Sequence, residues 1–371
     1  MLDTQEKIHQ IALSLVKGVG AMLWKNLVTQ AGSAQAVFQN PEKSLIKVPG
    51  SSRRIAYEIL QQDTLQAAEK LFLEHQQKNI QIISIWEDAY PERLKHTAQS
   101  PPLLYFRGNV AMNSPRIIGI VGTRNASAYG RRVVEKLVSG LSAYHVLIVS
   151  GLAYGIDIEA HSQALKHGLP TVGVLAGSLD AIYPAAHTSI ATAMIKQGGL
   201  VSENPLQTDL EGYHFPARNR IIAGMADAVI IVEANQKSGA IITANYANAY
   251  HREVFAVPGS IYETYSTGCN KLIKTHQAHL ITDVADIAYI MNWSLGKQAV
   301  LPKKYNNQVI AQLTLAEQGI IQVLQDAQTA IHIDQLSHQT KIPVTQLAAM
   351  LLQLELKDMV QCLPGSKFKA L

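Results

Sequence analysis

Between residues 111 and 290 the chain repeats one pattern: a strand-length apolar run followed by a helix-patterned stretch. The runs are Ile117–Val121, Val146–Val149, Val172–Leu175, Leu200–Ser202, Val229–Glu233 and Val254–Val257. Helical patterns fall over Arg131–Leu141, Ile156–His167, Arg218–Met225 and Ile241–Tyr250. Strands that are apolar throughout, alternating with helices, need a parallel sheet covered on both faces. The segment therefore predicts a doubly wound α/β domain.

The flanks differ. Residues 1–75 read as short amphipathic helices (Ile8–Val16, Ala21–Gln30, Arg53–Leu60 running toward Leu73) punctuated by Gly18, Gly20, Pro49 and Gly50. The glycines of Lys17-Gly18-Val19-Gly20 suit one half of a helix-hairpin-helix element. Lys47-Val48-Pro49-Gly50 is a degenerate second half, because Pro49 removes an amide donor. A small apolar run at Ile80–Trp86 leads into a connector marked by Pro91, Pro101 and Pro102.

Beyond residue 290, Trp293–Gln308 is a polar linker, and Thr314 with Glu317 forms a capping box for a helix through Asp326. A helix around Asp334–Thr340, a second from Val344 to Lys357 and a hairpin over Val360–Phe368, turning on Pro364–Gly365, predict a winged helix. No long internal repeat stands out. The expected division is a helical module over 1–75, a sheet domain over 76–290, a linker over 291–308 and a winged helix over 309–371.

Composition narrows the function. Two cysteines without a CxxC pair exclude a disulfide scaffold and a cysteine zinc site, and no HExxH or GxSxG occurs. No run of eighteen apolar residues is present, and the first twenty lack a signal-peptide core, so a cytoplasmic protein without a membrane span is expected. Net charge is +4, but residues 111–290 carry 13 Lys/Arg and 13 Asp/Glu. Anion binding there needs a local cluster rather than a global field.

Doubly wound sheets bind ligands where strands end and helix N-termini begin. Three glycine-bearing junctions fall at such positions: Gly122–Gly130 with Arg124 and Ser127, Ser150–Asp157 with Gly151, Ala153 and Gly155, and Ser238–Thr243 with Gly239. Each alone is equally a tight turn with a helix cap; three on one sheet edge favour an anion pocket. Arg218 and Arg220 add charge. On a helix Arg218 faces the sheet edge, open to a phosphate or to neutralisation by Glu203 or Glu233, while Arg220 points about 200° away. Asp157 and His161, four apart, are a helix-start pair more than an acid–base couple. The chain lacks GxxxxGK[ST] and GxGxxG, which excludes the usual phosphate loops.

Several of these segments resemble the DprA/Smf family of DNA-processing proteins. The resemblance rests on Gly122-Thr123-Arg124, Ser150-Gly151-Leu152-Ala153-Tyr154-Gly155-Ile156-Asp157, Ile182-Tyr183-Pro184, Ser202-Glu203-Asn204-Pro205, Phe215-Pro216-Ala217-Arg218-Asn219-Arg220, Ser238-Gly239 and Val257-Pro258-Gly259, in order across residues 85–285. It implies an extended Rossmann-like domain that binds single-stranded DNA, protects it and loads the RecA recombinase in natural transformation. The implied protein is a homodimer without catalysis, cofactor or metal. By analogy the phosphate pocket is Gly122, Arg124, Ser127, Ser150, Gly151, Ala153, Gly155, Ser238 and Gly239, with Arg218 and Arg220. Family pockets often carry a lysine after the Tyr-Pro pair. Here Ala185 and Ala186 follow, and Lys196, Lys237 or Lys271 are the substitutes, with Tyr183, Phe215 and Tyr129 as candidate stacking surfaces. The alternative is a nucleotide-processing or nucleotide-sensing enzyme, using Glu203 or Glu233 for cleavage.

Overall fold

The structure is a computed structural model that describes residues 3–294, 313–327, 331–357, 359–363 and 367–370. It divides into two compact units at Trp293/Ser294. Most of the expected linker and the Pro364–Gly365 turn lie outside the described residues.

The first unit opens with six helices: α1 (Thr4–Leu15), α2 (Ala21–Ala31), α3 (Ala34–Gln39), α4 (Glu42–Ile46), α5 (Arg53–Gln61) and α6 (Thr64–Gln77). Their buried faces are continuous with the core under one side of the sheet. Trp24, fully buried, stacks on Trp86 with centroids 5.2 Å apart, and Lys7 pairs with Glu87 at 3.1 Å. Residues 1–75 thus share a core with the sheet that follows.

That sheet is built in chain order from β1 (Gln81–Ser84), α7 (Glu92–Lys95), β2 (Leu103–Gly108), β3 (Ile117–Val121), α8 (Ala128–Leu141), β4 (Leu147–Ser150), α9 (Ile156–Lys166) and β5 (Thr171–Val174). It continues with α10 (Thr188–Gln197), β6 (Gly199–Ser202), α11 (His214–Met225), β7 (Ala228–Ile231), α12 (Gly239–Ala249), β8 (Glu253–Ala256), α13 (Thr267–Lys274), β9 (His279–Leu280) and α14 (Val284–Ile290). The spatial order is β1-β2-β6-β5-β4-β3-β7-β8-β9, with β6 through β9 parallel and β1 and β2 added antiparallel at one edge.

Alternation along the strands separates the two faces. Ile118 and Ile120 of β3 and Ile230 of β7 pack with Val134 and Leu137 of α8 and Ala160 of α9. Ile117, Val121, Val229 and Ile231 pack on the other side with Ile221 and Ile222 of α11 and Ala244 of α12. The chain runs outward from β3 through β4, β5 and β6, then returns to place β7 on the other side of β3. That reversal is the topological switch point, where adjacent loops diverge and leave a crevice.

The second unit holds α15 (Leu315–Asp326), β10 (Ile331–His332), α16 (Ile333–Thr340), α17 (Val344–Leu356), β11 (Val360–Leu363) and β12 (Lys367–Ala370), with strand order β10-β12-β11. The expected capping box forms: the Glu317 amide donates to Thr314 Oγ1 at 3.3 Å and the Thr314 amide to Glu317 Oε2 at 2.8 Å. Three helices over a small antiparallel sheet, around Leu336, Leu347, Leu351 and Phe368, make a winged helix.

Candidate nucleic-acid interface

A cleft of about 670 Å³ opens at the switch point, walled by Val121 at the end of β3 and residues 122–125 after it, by Asn235 and residues 237–240 leading into α12, and by Phe215, Arg218 and Asn219 of α11. A small apolar hollow of about 40 Å³ adjoins it, lined by Leu152, Tyr154, Leu175, Tyr183 and Leu210 and sharing Arg124, Ala153, Phe215 and Arg218 with the cleft. Loops separated by as many as 143 positions in the chain (122 and 265) therefore meet in one place.

Arg124 is exposed, and its guanidinium stands 5.4 Å from the centre of the Phe215 ring. Phe215 in turn meets Tyr183 edge-on with centroids 5.8 Å apart. This row of a cation and two rings can hold a phosphate beside stacked bases. Lys237 also lines the cleft and is exposed; Lys196 on α10 and Lys271 on α13 do not line it. Tyr129 lies elsewhere, its hydroxyl donating to the Pro258 carbonyl at 2.8 Å.

Arg218 lies at the cleft floor and is only 6% exposed. One of its nitrogens donates to the Val174 carbonyl, and Nε donates to Asn219 Oδ1 at 3.3 Å. No described carboxylate comes within ion-pair distance. Neither Glu203 nor Glu233 neutralises it, since both are engaged elsewhere. Asp157 is the nearest opposing charge, across Gly151: a Cβ at Gly151 would stand 2.4 Å from both Arg218 Nη2 and Asp157 Oδ2. Burial pushes the Asp157 carboxyl up to about 6, with Arg218 first among the groups pulling it back. Burial also lowers the pKa of Arg218, and the nearby charge of Arg124 lowers it further. Two like charges held together with one buried carboxylate make a site that favours an incoming anion.

Other expected contacts are taken up internally. The Ser127 hydroxyl donates to Glu233 Oε1 at 2.5 Å and accepts from the Gly130 amide as cap of α8. Ser150 is fully buried, its hydroxyl on the Ile120 carbonyl. Arg220 does not run along an open track: it is held by Glu203 and donates to the Gln99 carbonyl at 2.8 Å, because Glu203 emerges from β6 on the side that Arg220 faces. With Glu203 on Arg220 and Glu233 on Ser127, neither carboxylate assigned to the alternative cleavage reaction is among the cleft residues. Asp157 and His161 do not pair through their side chains. His161 is fully buried between Thr171 Oγ1 and the Gly151 carbonyl, each at 2.7 Å, and burial lowers its pKa to about 4.

The loop glycines serve packing. Gly155 has φ +82°, and a Cβ there would fall 2.1 Å from the Thr123 carbonyl, so the β4 loop can press on the β3 loop and aim Arg124. Gly122 and Gly130 sit against Ile156 and Glu233. Gly239 is open, with only Asn219 Nδ2 near, at 3.9 Å. The Ser238 hydroxyl accepts from the Ala240 amide to start α12, whose N-terminus faces the cleft. Asn235, Tyr265 and Leu210 also line these cavities and carry no motif signal; Tyr265 accepts from Asn125 Nδ2 at 3.2 Å.

A doubly wound sheet with an arginine-bearing cleft at its switch point and a separate winged helix defines a Rossmann-like protein with a winged-helix accessory module. Residues 81–292 match the family of DNA recombination-mediator protein A and residues 306–366 the DprA winged helix domain, so the chain belongs to the DprA/Smf family. It is similar to Protein Smf of Synechocystis, at 32% identity over 99% of this chain and 100% of the relative. The solved DNA processing protein A of Streptococcus pneumoniae matches 78% of this chain and 98% of its own at 31% identity and a TM-score of 0.67. That of Helicobacter pylori, whose single-stranded DNA binding mode has been described, matches 57% and 95% at 28% identity and a TM-score of 0.53. Among the described residues no helix is long and apolar enough to cross a membrane.

Proposed function

We propose that the switch-point cleft binds single-stranded DNA by its backbone, with Arg124, Arg218 and Lys237 on phosphates and Phe215 and Tyr183 against bases. The observation that carries the reading is the convergence of Arg124 and Arg218 on one cleft beside the Phe215 ring, with no described carboxylate within ion-pair distance of Arg218. Backbone charge plus aromatic faces gives binding without sequence preference. The described single-stranded DNA binding of the Helicobacter pylori relative supports the same ligand. In this reading the chain is a cytoplasmic homodimer that delivers the strand to RecA without catalytic turnover.

Three phosphate contacts on a single strand give a slope of log affinity against log salt of about −2, or about a 20-fold loss from 50 to 200 mM. Oligo-dT binding by fluorescence anisotropy tests this. Arg124→Ala with Lys237→Ala is expected to weaken binding at least about tenfold and to bring the slope to about −0.7. Unchanged affinity in a folded double variant refutes the cleft as the site. Sedimentation of the free chain tests the dimer, and RecA filament formation on single strands with and without the chain tests the delivery step.

A further inference from the structure

Two loops wall the apolar hollow beside the cleft, and one helix of the N-terminal module ties down both. The loop after β5 supplies Leu175, Gly177 and Tyr183, and the loop over 203–213, between β6 and α11, supplies Leu210. A Cβ on Gly177 would stand 3.3 Å from Leu210 Cδ1, so Leu210 closes directly over the first loop. Side chains join the two: Asn204 Nδ2 donates to the Ala176 carbonyl and the Ser202 hydroxyl to the Gly177 carbonyl, each at 2.6 Å.

The last turn of α6 meets this pair of loops. His75 is fully buried there, its ring 4.6 Å from that of Tyr105 on β2. Nδ1 stands 2.5 Å from the Leu71 carbonyl, which can only accept, so Nδ1 carries the proton and Nε2 is left as an acceptor. The Leu206 amide donates to Nε2 at 3.3 Å. On either side of His75, Gln207 Nε2 donates to Glu74 Oε2 at 2.6 Å, and Lys78 pairs with Asp180 of the first loop at 3.7 Å. Leu206 is buried in the core, and Gln207 next to it has φ +65°. A residue with a side chain holds that left-handed conformation where its surroundings impose it.

We propose that His75 is a positioning residue for the single-strand site: through the Leu206 amide it holds the 203–213 loop so that Leu210 completes the wall offered to a base. The inference rests on the reading of cleft and hollow as that site. Arg124 and Lys237 stand on other loops, so the clasp governs base contact and leaves phosphate contact alone. It works only with a neutral ring, because a protonated imidazole has two donors and nothing to accept the Leu206 amide. Burial lowers the His75 pKa; the Leu71 carbonyl, Glu74 and Asp180 oppose this, and Lys78 adds to it. Burial likewise keeps the Tyr105 phenol protonated, and the loop brings uncharged Leu206 and Gln207 to the clasp.

The test follows two probes on the full chain by anisotropy: oligo-dT, and an abasic oligonucleotide of equal length that keeps the phosphates and lacks the bases. His75→Leu removes the acceptor and keeps the position apolar. Its oligo-dT affinity is expected to fall about fivefold or more, the low end of what one stacked base contributes, with abasic affinity within about twofold of wild type. The salt slope should not change, since no phosphate contact is lost. His75→Gln offers an amide oxygen to Leu206 and is expected to bind oligo-dT within about twofold of wild type. As pH falls below 6.5, the ratio of oligo-dT to abasic affinity is expected to drop in wild type and stay level in His75→Gln. Protonation of Asp157 at the cleft floor affects both probes and cancels in that ratio.

The proposal is overturned if wild type binds the two probes equally, if folded His75→Leu binds oligo-dT as wild type does, or if it loses both probes in equal proportion. One shared pH profile for wild type and His75→Gln also overturns it, and that comparison decides the matter should His75→Leu not fold. Failure of the single-strand site itself shows separately, as unchanged oligo-dT affinity in the Arg124→Ala, Lys237→Ala variant.

Discussion

Gly151→Ala isolates the cleft floor from the rest of the fold. The added Cβ would stand 2.4 Å from Arg218 Nη2, 2.5 Å from Nη1 and 2.4 Å from Asp157 Oδ2. Ordinary contact needs about 3.5 Å, so one or both groups must retreat by about 1 Å. Gly151 is not among the positive-φ glycines, so its backbone accepts alanine and the strain falls on these side chains. The guanidinium is the end of a flexible side chain and is the part that gives way. Overpacking of this sort costs about 1 kcal/mol, the low end of its usual range. A charge-assisted contact to phosphate is worth about 1.5–3 kcal/mol, so oligo-dT affinity is expected to fall by roughly 10- to 100-fold, with the salt slope reduced by about 0.7. Anisotropy titrations at several salt concentrations, paired with thermal unfolding, measure both. Wild-type affinity and slope in a folded Gly151→Ala protein would refute the place given to Arg218.

Four further outcomes follow from the same geometry. Gly239→Ala meets open space, so thermal stability should hold or rise slightly while oligo-dT affinity falls if backbone approaches the start of α12. Arg220→Ala removes the tie to Glu203 and the Gln99 carbonyl, with an expected loss of about 1–3 kcal/mol in urea unfolding and an unchanged salt slope. Asp157→Asn replaces a carboxylate whose burial outweighs the pull of Arg218 with a neutral isostere, so stability at neutral pH is expected to hold or rise in the same assay. The pH dependence has a definite sign. Asp157 is raised to about 6 in the folded chain, so it binds its proton more tightly than the unfolded chain does, and its ionisation costs stability as pH rises from about 4 to 6. His161, lowered to about 4, has the opposite effect, adding stability as pH rises from about 4 to 6.5. The two nearly offset in wild type. Removing the carboxyl in Asp157→Asn exposes the histidine, and the unfolding free energy of that variant should climb by about 3 kcal/mol across this window.

The strands from β3 to β8 were legible because each is an uninterrupted apolar run buried on both faces. β9 was not: His279 and Leu280 are exposed at the sheet edge and carry no run. β2 was hidden among prolines, although Leu103–Phe106 is buried. At the site, sequence placed the loops correctly at the strand ends but could not say which way a hydroxyl turns. Ser127 and Ser150 follow the same small-residue pattern as Ser238, yet Glu233 and the Ile120 carbonyl take them. The Arg218 and Arg220 faces were separable by helical period, whereas their partners, the Val174 carbonyl and Glu203, depended on how the neighbouring strand ends were placed.

Ultraviolet cross-linking of oligo-dT to the full chain, with mass-spectrometric mapping of the adducts, tests whether single-stranded DNA lies in the switch-point cleft. Tyr183, Phe215 and the half-exposed Tyr154 flank the shared wall of the two cavities. Adducts on peptides carrying these residues, lost in Arg124→Ala with Lys237→Ala, are the expected result. Adducts confined to the winged helix, or unchanged in that variant, would contradict it.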